Sequence, residues 1–193
     1  MNLTLPGPKM LATLLAPALF ITACTAQPAR EPQLSTQAAE MPNEMPGEFP
    51  SDGLAPDAHP EVPREAQDPC PYLDTEWLAR TNGQKVTSMG VDSRFITPAC
   101  VYWSYPPEPQ ASIVVRHMPT VDQAIEVVDI AAPIADTEPV DTTDGWSGGR
   151  GGGPEGAVYA VQKGSIALVV RTNQPQSVKA ELIAEEVIRQ LAL

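Results

Sequence analysis

"GAVYAVQKGSIALVVRT", residues 156–172, carries the clearest hairpin signal in the chain. Residues 156–162 and 165–172 are two apolar, β-branched runs, and Lys163-Gly164 supplies a tight turn between them. Strands joined by so short a turn must run antiparallel, because a parallel return needs a crossover of a dozen residues or more. Upstream, "PACVYWSY" (98–105) alternates Val101, Trp103 and Tyr105 against Tyr102 and Ser104. Pro106-Pro107-Glu108-Pro109 forms a rigid connection to "QASIVVRHM" (110–118), which sets Ile113 and Val115 on one face and Val114 and Arg116 on the other. These two strands read as a second hairpin, preceded by a weaker strand over 85–92 that Gly90 interrupts.

Helical signals flank the hairpins. In "CPYLDTEWLARTNGQ" (70–84), Asp74 is the N-cap, Trp77 and Leu78 face inward and Asn82-Gly83 is the stop. In "MPTVDQAIEVVDIAAP" (118–133), Thr120 and Gln123 resemble a capping box, Val121, Ala124, Ile125, Val128 and Ala132 recur at helical spacing, and Pro133 ends the helix. Ser177 caps a closing helix over 178–191, with Val178, Leu182, Val187 and Leu191 apolar and Lys179, Glu185 and Arg189 facing water. Residues 134–156, acidic first and then glycine-rich, read as a long loop. The order α-β-β-α-β-β-α implies an α+β fold: an antiparallel sheet of four to five strands built from two hairpins, packed by about three helices on one face or both.

The N-terminus reads differently. Lys9 is followed by an apolar core over 10–21, about a dozen residues and short of the ~20 that span a bilayer. Ile21-Thr22-Ala23-Cys24 resembles the bacterial lipobox, in which small residues let a peptidase cut before a cysteine whose thiol carries a diacylglyceryl group. Residues 1–23 are then a lipoprotein signal peptide and Cys24 the anchor; ordinary cleavage nearby, after Ala26, is the alternative. Acyl chains contribute ~0.8 kcal/mol per buried CH₂, so two or more hold a protein stably at a membrane. Residues 25–69 contain nine prolines among Ala, Glu, Gln, Asp and Met. With few bulky apolar side chains to offset ordering entropy, residues 24–69 are expected to form a lipidated N-terminus and disordered linker, and 70–193 the domain. Between coil and extended polyproline, such a linker reaches roughly 40–140 Å.

The formal charge of −12 makes nucleic acid a poor partner and anionic membrane surfaces repulsive, so the lipid must do the anchoring. Once Cys24 is acylated, Cys70 and Cys100 remain in an exported chain. They are expected to form a disulfide, with buried free thiols as the alternative; two thiols are too few for zinc and lack CxxC spacing for redox work.

"CPYLDTEWLARTNGQKV", "DSRFITPACVYWSYP", "GWSGGRGGG" and the stretch from Gly156 to Ile188 resemble a family of small uncharacterised lipoproteins exported by high-GC Gram-positive bacteria. That resemblance implies an envelope address and no particular activity. In element order alone the chain is also similar to actinobacterial envelope lipoproteins and kinase sensor domains, whose disulfide-tied modules bind ligands or partners.

Several motifs invite chemistry and lack its context. Gly145-Trp146-Ser147-Gly148-Gly149 matches G-x-S-x-G, but no strand feeds the serine and no histidine follows His117. Residues 151–156 fit G-x-G-x-x-G, yet run into a strand where a dinucleotide fingerprint opens a helix. His59 and His117 make a poor metal pair. No catalytic residue, metal or cofactor is therefore assigned. The phases of the strands place Tyr102, Val114, Arg116, Tyr159 and Arg171 on a second sheet face, where aromatics mixed with arginines suit an anionic or amphipathic ligand. Trp146, an indole among glycines, either tucks onto the sheet or joins that ligand. The expected function is a non-catalytic ligand- or partner-binding module, exported and lipid-anchored to the outer face of the cell membrane. The alternatives are an accessory subunit of an envelope complex docking through a helix or sheet edge, or an envelope hydrolase using Ser147 with His117 or the carboxylates of Asp141 and Asp144.

Overall fold

The structure, a computed structural model, describes residues 50–193. The expected signal peptide over 1–23, Cys24 and the first part of the expected linker, 24–49, lie outside the described residues. The chain runs α1 (Thr75–Asn82), β1 (Ser88–Asp92), β2 (Thr97–Trp103), β3 (Pro109–His117), α2 (Val121–Ala131), β4 (Glu138–Asp141), β5 (Ser147–Gly153), β6 (Gly156–Lys163), β7 (Ile166–Thr172) and α3 (Ser177–Leu191). The strands form one sheet in the order β1-β2-β3-β7-β6-β5-β4, every neighbour antiparallel. A Cys70–Cys100 disulfide ties the segment before α1 to β2.

Local signals produce the elements they encode. Asp74 accepts the Trp77 N–H at 2.7 Å, and Gly83 ends α1 at φ 74°, a left-handed conformation that a Cβ disfavours. Thr120 accepts the Gln123 N–H at 3.2 Å. In α3 the expected phase is corrected. Ala180, Ile183, Ala184 and Val187 are buried, while Val178 and Leu182 are exposed; Gln176 rather than Ser177 occupies the N-cap, without a capping side chain. The small alanines let the helix lie close to the sheet.

The sheet has seven strands, not four to five, because the expected long loop over 134–156 contains β4 and β5. The β5 sequence is SGGRGGG, which carries no apolar alternation. Close approach by neighbours demands its glycines. A Cβ at Gly149 would meet Thr137 Oγ1 at 2.7 Å and Ala132 Cβ at 3.2 Å, and one at Gly152 would strike the Pro175 carbonyl oxygen. β4 forms one sheet edge, with a proline in it that limits further pairing.

Helices cover both faces. On one, Tyr102, Ile113, Tyr159 and Leu168 pack with Leu78 of α1 and Ile183 and Val187 of α3. On the other, Val114, Ala160, Ala167 and Val169 pack with Ala124, Val127 and Val128 of α2.

The boundary expected at Cys70 is also corrected, because residues 50–69 lie on the domain as a strap. Leu54 and Ala58 pack against the α2-side core, and Gln67 forms a parallel bridge with Met89 of β1. Gly90 admits the strap: a Cβ there would lie 2.5 Å from Val62 Cγ1 and 2.6 Å from Ala66 Cβ. Arg64 donates to the carbonyls of Ser104, Tyr105, Pro106 and Pro107. Asp92 accepts the Glu61 N–H at 2.8 Å, and Asp52 pairs with Arg116 at 3.0 Å. A proline-rich segment makes few hydrogen bonds of its own, so its carbonyls at Leu54, Ala55 and Pro56 are free to accept from Arg116.

Candidate functional site

The five residues expected to share a face are divided between two. β2 pairs Tyr102 with Ala111, across irregularities in register, which places it with Ile113 rather than Val114. Tyr159 pairs with Val170 and Arg171 with Val158, so Tyr159 and Arg171 project oppositely. Tyr102 is core: its hydroxyl donates to the Leu73 carbonyl at 3.0 Å, and burial raises its pKa. Trp146, 3% exposed, tucks into the α3-side core. It lines a cleft of about 650 Å³ together with Tyr159, Asp144, Glu185 and Arg189. Burial, reinforced by Glu181 and Glu185, pushes the Tyr159 phenol up to about 12. The Trp146 Nε1–H is buried without a partner, and the Lys163 ammonium stands 5.6 Å from its ring centre.

The α2 side holds both arginines, in contrasting surroundings. Arg116 is fully buried and donates to both carboxylate oxygens of Asp52 and to the carbonyls of Leu54, Ala55 and Pro56, at 2.9–3.2 Å. Its guanidinium also lies 5.5 Å from the Phe95 ring centre. Every donor direction of the fork is taken. Arg116 is a structural residue and has nothing left for a ligand.

Arg171 stands opposite Ser112 on β3 and is half-buried. Its one hydrogen bond runs from Nη2 to the Ala131 carbonyl, at 3.3 Å. Among the described residues no carboxylate pairs with it. Burial pulls its pKa below the ordinary arginine value. The side chain lies between two spaces. One is a cavity of about 40 Å³ roofed by Pro56, Asp57 and His59 of the strap, without an ion pair between Asp57 and Arg171, and walled by Val114, Val127 and Val169. The other is an open cleft of about 330 Å³ lined by Pro133, Thr137, Gly151, Ala157 and Val158, with Asp136 and Glu155 at its margin.

The described structure thus coincides with a conserved-domain assignment made on sequence. A family model described as a domain of unknown function (DUF2020) matches residues 54–193. The chain belongs to the DUF2020 family. No curated protein matches it. The DUF2020 match begins within the strap, sixteen residues ahead of Cys70, so the strap, the disulfide and all seven strands fall within it or at its border.

The other residues weighed from sequence are separate in the DUF2020 domain. His117 Nε2 lies 2.9 Å from Thr97 Oγ1, whereas Ser147 Oγ accepts from Gln162 Nε2 at 3.0 Å. β3 and β5 are three strand steps apart, about 14 Å, so the histidine and serine do not form a pair. Among the described residues no group of three or more His, Cys, Asp or Glu is arranged to hold a metal ion. Sequence reasoning missed Asp52 and the strap. Gly90 in β1 was the available sign, since a glycine within a strand marks close approach by another backbone.

Proposed function

We propose that this protein is an exported lipoprotein, anchored through Cys24 to the outer face of the cell membrane, whose DUF2020 domain is a non-catalytic binding module. Its ligand is a small monoanion with an apolar body, a carboxylate above all, and Arg171 receives the anionic end. The lipobox-like run ending at Cys24 supports the address, and a disulfide fits an oxidising compartment.

The observation that carries the ligand reading is the Arg171 guanidinium: half-buried, without a carboxylate, and bordering two spaces. A desolvated cation without a counter-charge is costly, and a carboxylate meeting its planar fork gains charge-assisted, bidentate hydrogen bonds. Pro133, Ala157 and Val158 in the cleft of about 330 Å³ suit an aliphatic body, whereas the cavity of about 40 Å³ on the other side has room for little more than water. The acidic margin and the net charge disfavour polyanions.

Calorimetric titration of the exported protein with octanoate, butyrate and inorganic phosphate tests the ligand. Saturable octanoate binding that Arg171→Gln abolishes is expected; absence of binding, or equal binding by the variant, ends the reading. Labelling of growing cells with a palmitate analogue tests the anchor. Wild-type protein should carry the label in membranes, and Cys24→Ala should lose it and appear in the medium.

A further inference from the structure

The α2 face of the sheet is covered unequally. The strap lies on one side of α2, beside β3, and α2 itself lies over β6 and β7. On the other side of α2, towards β5 and the edge strand β4, a groove of about 360 Å³ stays open. Its lining is aliphatic, from Ile125, Val128, Ala132, Ile134 and Pro139, with Ser147 and Gln162 on its sheet side. The Gln162 Oε1 is buried and accepts no hydrogen bond. Large aliphatic side chains stand in water around it: Val121 is 43% exposed, Ile125 38% and Ile134 85%. The helical spacing of Val121 and Ile125 marks them as inward-facing by sequence, yet the buried stripe of α2 is Ala124, Val127, Val128 and Ala131. An exposed apolar patch rimmed by polar residues marks an interaction site.

Charge identifies the occupant. From Met118 to Gly149 the chain carries seven acids and neither lysine nor arginine. Asp122, Glu126 and Asp129 recur along the outer side of α2, at the spacing that keeps residues on one helix face, and all three are exposed. Asp141, exposed on β4 in the same strand phase as Pro139, stands across the groove. No cation of the described residues pairs with any of these four carboxylates. The result is an apolar trough between the acidic side of α2 and Asp141.

We propose that this groove docks a basic amphipathic helix of a partner protein, with its aliphatic face against Ile125, Ile134 and Pro139 and its lysines or arginines on the α2 carboxylates and Asp141. Helix-in-groove recognition has this form: apolar anchors at helical spacing give affinity, and complementary charge gives orientation and rate. The site is separate from Arg171 and stands whether or not that residue binds an anion.

Fluorescence anisotropy of the exported protein with a labelled amphipathic peptide of lysine and leucine at helical spacing tests it. A scrambled peptide of the same composition and a glutamate–leucine counterpart serve as controls. Binding of the basic amphipathic peptide alone is expected, at least tenfold weaker in Ile134→Asp and several-fold weaker in Asp122→Asn/Asp129→Asn, with affinity falling as salt rises. Ile134 and both aspartates are exposed, and an unchanged thermal melt of each variant confirms that the fold is intact. Equal binding of the scrambled peptide means charge attraction alone and overturns the proposal. So does undiminished binding by Ile134→Asp, absence of binding, or a wild-type dimer in sedimentation that Ile134→Asp dissociates, which would assign the face to a second copy of this chain.

Discussion

Arg116 and Arg171 project from adjoining strands onto the same face of one sheet, about 14 Å apart along β3, yet they have become different things. Over Arg116 lies the strap, which brings a carboxylate and three carbonyls to a guanidinium that no water reaches. Over Arg171 the strap roofs a small cavity and supplies no acceptor; among the described residues one carbonyl, that of Ala131 at 3.3 Å, accepts from its side chain. The residue type is identical; the number of acceptors delivered by a distant segment differs. Asp52 reaches Arg116 from 64 positions away.

Breaking the satisfied arginine should have the largest effect. Asp52→Ala leaves a buried, unpaired cation and is expected to lower stability by about 3–5 kcal/mol in urea denaturation. Asp52→Leu combined with Arg116→Met should recover much of that loss, because removing both charges leaves neither uncompensated. A double variant as unstable as Asp52→Ala would show that packing of the strap, not charge, dominates.

Acid should loosen the same strap by a smaller amount. The Arg94 side chain, with the Glu61 and Arg94 backbone N–H groups, holds the Asp92 carboxyl at about 2, below its ordinary 3.8. Above about pH 4 the folded and unfolded forms are both ionised and the stabilisation is complete; as pH falls towards about 2 the unfolded chain takes up the proton first, and stability is lost. A loss of roughly 1–2 kcal/mol across that window is expected, with Asp92→Asn showing a flatter dependence in the urea midpoint. Hydrogen exchange at the Glu61 amide, which Asp92 accepts, should quicken over the same range.

The smallest stability effect belongs to Arg171. Arg171→Gln removes a cation that holds one long hydrogen bond, so the urea midpoint should shift by about 1 kcal/mol or less in either direction. A loss comparable to Asp52→Ala would make Arg171 another structural arginine.

The same contrast explains what the sequence discloses. The α1 cap at Asp74, the stop at Gly83, the hairpin across Lys163-Gly164 and the Cys70–Cys100 disulfide all depend on local chemistry or on counting, and each is legible. β5 is not, because its glycines answer to Thr137, Ala132 and Pro175 rather than to strand propensity. The strap is not, because its prolines suppress periodic structure while its Leu54 carbonyl and Asp52 serve Arg116, more than sixty positions along the chain. The two site arginines were recognisable by type and strand phase, but which of them stays unsatisfied depends on where the strap runs. Tyr102 and Tyr159 were assigned to their face by alternation counted from the wrong register, and cross-strand pairing with Ala111 and Val170 reverses it.

The most direct test follows the side-chain Nε–H resonances of both arginines by NMR while octanoate is added to the protein. The Arg171 resonance is expected to shift and saturate while that of Arg116, enclosed by Asp52 and the strap carbonyls, stays in place. An Arg171 resonance that does not move, or an Arg116 resonance that moves in its stead, contradicts the ligand reading.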